Sequence, residues 1–154
     1  HHACQSGRDW ALANCETMQE AWEKAEPKNV VWIALRKGVL TDKELRLFAV
    51  FCARQNLHLL TDQRSIDAIY VAERYANGNA TDDELQAAHA AAHAAAYTTD
   101  DAAYAAAAAA DAYAGFAAAY AADYAADYAA DYAADYAAQS DYLKSNTKPN
   151  FTKP

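Results

Sequence analysis

The chain has 154 residues, a formal net charge of -8 and a hydrophobic share of 54%. The length suits one domain with a core of its own, but alanine supplies much of the hydrophobic share and buries little area per residue. The charge is uneven. Residues 1–74 carry ten Lys/Arg and ten Asp/Glu, residues 75–143 carry eleven acids and no Lys or Arg, and residues 144–154 add three lysines. Such a surface repels nucleic acid and anionic membranes and favours basic proteins or cations. Direct nucleic-acid binding and membrane association are therefore not expected.

The three cysteines, Cys4, Cys15 and Cys52, form no CxxC pair and are odd in number, which argues against a disulfide framework. The Ala-rich stretch is too polar to span a bilayer, and the first residues lack the pattern of a signal peptide. The expectation is a non-secreted, cytoplasmic protein.

In chain order, helix signals recur and strand signals are nearly absent. Asp9–Ala13 closes a first short helix. Glu16–Glu26 reads as a second, ended by Pro27. Asn29 is placed to cap a third, Val30–Lys37, with Gly38 at its end. Thr41-Asp42-Lys43-Glu44 is a capping box. The helix behind it sets Leu45, Phe48, Cys52 and the Val50/Phe51 pair at helical spacing and runs to about Gln55. Asp62 or Ser65 opens the next helix, which carries Ile66, Ile69, Tyr70 and Glu73 and stops at Asn77-Gly78. Thr81-Asp82-Asp83-Glu84 repeats the capping box before a helix from Asp82 to about Tyr97. Thr98 or Thr99 caps a last helix running to about Leu143, roughly 65–70 Å long if unbroken, with Gly115 its one candidate break. Ser145–Pro154 is an extended or disordered tail. Trp10, Trp22 and Trp32 sit at core-like positions.

The fold class is therefore all-α: short N-terminal helices around a Trp/Leu/Phe core, followed by long Ala-rich helices in a hairpin or bundle. Residues 1–97 form the helical core, 98–144 a long Ala/Asp/Tyr-rich helix packed on the same domain, and 145–154 the tail.

Asp-Tyr-Ala-Ala occurs four times from Asp123 to Ala138. Each tetrad advances a helix by about 400°, so the pattern drifts about 40° per repeat. A Tyr row (Tyr120, Tyr124, Tyr128, Tyr132, Tyr136) then spirals beside an Asp row (Asp123, Asp127, Asp131, Asp135). Small Ala faces allow close helix packing with Tyr rings filling gaps. The alternative is a partner-binding surface formed by Asp123, Asp127, Asp131, Asp135, Tyr124, Tyr128, Tyr132 and Tyr136. Carboxylates spaced about 6 Å along an axis could imitate a strand of phosphates and occupy a basic groove on a nucleic-acid-binding protein. The same helix also offers a surface for homo-oligomerisation.

His89 and His93 form His-Ala-Ala-Ala-His on one helical face, the spacing of two zinc ligands. There is no adjoining Glu and no obvious third ligand, so they are weak metal candidates and no cofactor is expected. Asp62, Arg64, Asp67, Glu73 and Arg74 read as an ion-pair network. No GxGxxG, P-loop, GxSxG or Cys-His-Asn pattern is present, and an enzyme is not expected.

Several blocks carry a family resemblance: Ala3–Trp10, Ala21-Trp22, Val31–Ala34, Leu45–Arg54, Asp62–Ser65, Ala68–Gly78, Ala80-Thr81 and Glu84-Leu85. In order and spacing, the first 95 residues or so resemble a family of small helical phage and bacterial immunity proteins. The resemblance implies a helical protein that binds and neutralises another protein, and it supplies no catalytic residues. Members of that family usually mix Arg and Trp into the Ala-rich region, where this chain has Asp and Tyr. A structural or self-assembling helical protein, phage, bacterial or designed, is the alternative, and metal binding through the His pair a second.

Overall fold

The computed structural model describes residues 5–96, 102–111, 113–128 and 132–151. Every regular element in them is helical: α1 (Gln5–Asn14), α2 (Met18–Lys24), α3 (Pro27–Ala34), α4 (Asp42–Gln55), a 3-10 turn (Leu57–Leu59), α5 (Gln63–Ala76), α6 (Asp82–Ala96), α7 (Ala102–Ala109), α8 (Ala114–Tyr128) and α9 (Tyr132–Asn146). The expected all-α class is what the structure shows. Among the described residues no helix is long and apolar enough to cross a membrane.

Local chemistry sets most of the boundaries. Thr17 caps α2 by accepting from the Glu20 amide. Thr41 and Glu44 form the expected reciprocal box at the start of α4, and Thr81 and Glu84 repeat it at α6. Asp62 caps α5 by accepting from the Arg64 amide. Gly38 and Gly78 end their turns at φ 84° and 75°, a region open to glycine and strained for other residues. Pro27 acts differently from expectation. It opens α3 at its first turn, where the missing N–H is one the helix would not have used. Asn29 consequently lies inside α3 and not at its cap.

α4 is the central helix. It buries Leu45, Arg46, Phe48, Ala49, Val50, Cys52 and Ala53 and packs against α5, α7, α8 and α9. A helix buried on so many sides needs neighbours all round. The core continues from Trp22, Val30, Ile33, Phe48 and Ile69 into the alanines of α7 and α8 and on to Leu143. Ala105, Ala106, Ala109, Ala117, Ala118 and Ala121 are fully buried. Their methyl groups contribute little hydrophobic area each, but they let helix backbones approach closely.

The single long helix expected over 98–143 is not what forms. α7 ends near Ala109, and α8 packs back against it. The break falls before Gly115, not at it. The last turn of α7 tightens, with the Ala110 amide donating to the Ala107 carbonyl and that of Asp111 to Ala108. Arg46 of α4 then donates from Nη1 to the carbonyls of Ala109 (3.3 Å) and Asp111 (2.5 Å). The Asp111 carboxylate accepts from the Tyr113 amide at 2.8 Å and starts α8. A second reversal separates α8 from α9, because Gln139 Nε2 reaches the Ala122 carbonyl at 3.2 Å. In one continuous helix those residues would stand about 25 Å apart. The expected caps Thr98 and Thr99, and the expected end at Tyr97, lie outside the described residues.

Candidate functional site

α8 is amphipathic by size. Ala114, Ala117, Ala118, Ala121 and Ala122 face the interior. Tyr113, Phe116 and Tyr120 stand outward with 72%, 56% and 51% of their surface exposed. Spacings of three and four residues put their rings in one line. Tyr113 meets Phe116 edge-on with centroids 6.2 Å apart, and Phe116 stacks on Tyr120 at 6.0 Å. The result is a ridge of three touching aromatic rings on the outside of the bundle. Single exposed apolar residues are ordinary, whereas a contiguous aromatic row is not.

Tyr120 belongs to the Tyr row read from the repeat, but Tyr113 and Phe116 were not picked out by it. The signal was present in the 113/116/120 spacing set against Ala at 114, 117, 118 and 121.

The repeat's own residues divide in two. Asp131 lies outside the described residues, as do the side chains of Asp123, Tyr124, Asp127, Tyr128 and Tyr132. Asp135 and Tyr136 are buried, at 9% and 7% exposure. The Asp135 carboxylate accepts from Gln139 Nε2, and Lys28 Nζ stands 5.8 Å over the Tyr136 ring. Burial pushes the Asp135 carboxyl above its ordinary pKa, and the Gln139 hydrogen bond offsets this only in part. Asp135 is thus part of a polar contact inside the bundle, not the end of a solvent-facing row.

The His pair gains a neighbour that the sequence did not reveal. His89 Nε2 stands 3.9 Å from Asp111 Oδ2, and the two imidazole centroids are 5.8 Å apart. His93 meets Tyr104 edge-on at 6.1 Å. Among the described residues no three His, Cys, Asp or Glu side chains gather closely enough to hold a metal ion.

The charged cluster resolves into separate pairs. Arg64 holds Asp62 at 2.7 Å, which lowers the Asp62 carboxyl to a pKa of about 2. Arg54 holds Glu73 through two hydrogen bonds, Arg74 binds Glu84, and Gln63 donates to Asp67 at 2.8 Å. All lie at the surface, where such pairs contribute little. Of the three tryptophans Trp22 is buried at 4% exposure, and Trp10 and Trp32 pack partly buried against the core.

A comparison with protein-family models, with curated proteins and with solved structures finds no match to this chain.

Proposed function

We propose that this protein acts by binding another protein, through the aromatic ridge of α8 and the acidic segment that carries it. The observation that carries the reading is the line of Tyr113, Phe116 and Tyr120, each more than half exposed. Tyr is enriched in protein interfaces because it offers large, stiff contact area at small entropic cost. The ridge lies in a segment, 75–143, with eleven acids and no Lys or Arg. Two copies brought together at such a surface would repel, so charge complementarity favours a basic partner over a second copy. The resemblance of residues 3–95 to immunity proteins supports the same class, a protein that neutralises another. A basic groove made for nucleic acid is one partner surface that fits. With Asp135 inside the bundle, mimicry of phosphates rests on Asp123, Asp127 and Asp131 alone.

The test starts with capture of basic proteins on immobilised parent and on the triple variant Tyr113→Ser/Phe116→Ser/Tyr120→Ser. A protein held by the parent alone is then purified and titrated in solution. The expected result is a 1:1 complex that weakens from 50 to 500 mM salt, roughly a threefold change in Debye length. It should weaken again with Asp123→Asn and Asp127→Asn. Equal retention on both columns, or a complex indifferent to salt, would overturn the reading. A concentration-dependent parent dimer abolished by the triple variant would replace it with self-assembly.

A further inference from the structure

The last residues do not trail away from the bundle. After α9 the Thr147 amide and hydroxyl both donate to the Leu143 carbonyl. Residues 147–151 then run without regular structure against α2, the loop before α4 and the first turn of α4. The Lys148 amide donates to Glu44 Oε1 at 2.8 Å, and the Asn150 amide to the Val39 carbonyl at 2.7 Å. Phe151 lies against Trp22 with centroids 6.1 Å apart.

Glu44 divides its two oxygens: Oε2 closes the capping box with Thr41, and Oε1 takes the Lys148 amide. Alternate amides of the tail, at 148 and 150, bond inward. The residue between them is Pro149, which has no N–H to leave unsatisfied and whose ring favours an extended chain. Burial works to raise the Glu44 carboxyl's pKa, but the Thr41 and Lys148 amides hold it below its ordinary value, so the acceptor stays charged at neutral pH.

We propose that the surface formed by Trp22, Val39 and Glu44 is a peptide-recognition site, filled in cis by residues 148–151. Its partner in trans is an extended protein segment of the same chemistry: a basic residue, a proline, and an aromatic residue two positions after it. The anchor is the ring seated on Trp22. Register comes from two hydrogen bonds donated by tail amides, one to the Glu44 carboxylate and one to the Val39 carbonyl. A tethered tail competes at an effective concentration of about millimolar. The site therefore stays closed to weak segments while the tail is seated and opens when the tail is displaced. This surface is separate from the α8 ridge, and the two readings fail independently.

The experiment uses the full chain and a synthetic decapeptide of residues 145–154. Phe151→Ala removes the anchor from the tethered tail. Asn150→Pro removes the amide donated to Val39, and serves if the first variant folds poorly. The readout is the Trp22 indole N–H resonance, assigned with Trp22→Phe. At about millimolar peptide the expected result is a saturable shift in either tail variant, at least tenfold weaker binding to the parent, and no shift with a peptide whose Phe is replaced by Ala. Equal binding to parent and variants would place the peptide elsewhere and overturn the proposal. Absence of binding to both variants would overturn it as well.

Discussion

The guanidinium of Arg46 donates to the backbone carbonyl of Asp111 at 2.5 Å, across 65 residues of sequence. That hydrogen bond joins the central helix to the turn at which the Ala-rich segment reverses. Carbonyls at a helix C-terminus have no partner within the helix, and buried ones need a donor from elsewhere. Arg46 is 3% exposed and also stands 5.0 Å over the Tyr75 ring. Arg46→Met keeps much of the packing and removes the donors. The expected loss is about 3 kcal/mol, since each hydrogen bond to a charged group contributes about 1.5–3 kcal/mol. Urea denaturation measures it, and a loss below about 1 kcal/mol would mean that water serves those carbonyls equally well.

Thr81 accepts from the Glu84 amide, and the Glu84 carboxylate accepts from the Thr81 amide. Thr81→Ala should cost about 1 kcal/mol, the usual value of a lost N-cap. Thr81→Ser, which keeps the oxygen, should recover most of it. An unchanged melting temperature in Thr81→Ala would show that the box adds nothing to α6.

Asp135 gives a pH dependence with an uncommon sign for an acid. Its folded-state pKa is raised by burial, the Gln139 bond opposing. The folded protein thus holds the proton more tightly than the unfolded chain. The stability this group contributes is full below its unfolded pKa and declines as pH rises through the folded value. Asp135→Asn removes that decline. The variant should melt above the parent at about pH 7 and gain nothing at about pH 3. A gain of equal size at both would assign the effect to packing.

What the sequence revealed was what neighbouring residues decide. Both capping boxes act over three residues, and the Asn77-Gly78 stop acts within one turn. The structure has all of them where the residues predict. What it hid depends on residues far apart. Nothing near Asp111 announces that Arg46 will meet it, and Gly115 is the one visible helix breaker in the segment. Gly115 instead sits in the first turn of α8, where a side chain would meet nothing within 4 Å. Pro27 is ambiguous in sequence, because proline both ends one helix and begins the next, and here it begins α3. The seating of Phe151 on Trp22 left no local trace at all. At the candidate site, the aromatic ridge was readable from spacing, whereas the burial of Asp135 depended on the reversal between α8 and α9.

Gln139 holds the place that Asp would take in a fifth tetrad, four residues after Asp135. It is fully buried, and its Nε2 donates to the Ala122 carbonyl. Four identical tetrads create an ambiguity of alignment. Sliding α9 by one tetrad along α8 would return nearly the same pattern of Ala, Asp and Tyr within the repeat, and what opposes it are residues outside the repeat: Gln139, the buried Leu143, and Tyr142 stacked on Phe51 at 4.3 Å. Only an irregular residue can tell one alignment from the next. After a slip toward the N-terminus the Ala122 carbonyl would face a carboxylate oxygen in place of an amide donor. Gln139 thus acts, beside Leu143 and Tyr142, as an index mark on an otherwise uniform scale. Gln139→Asp places Asp at the next four-residue step after Asp135 and removes the amide donor. Doubled amide resonances across α8 and α9 should follow, and a single set of sharp resonances would show that the alignment is fixed elsewhere.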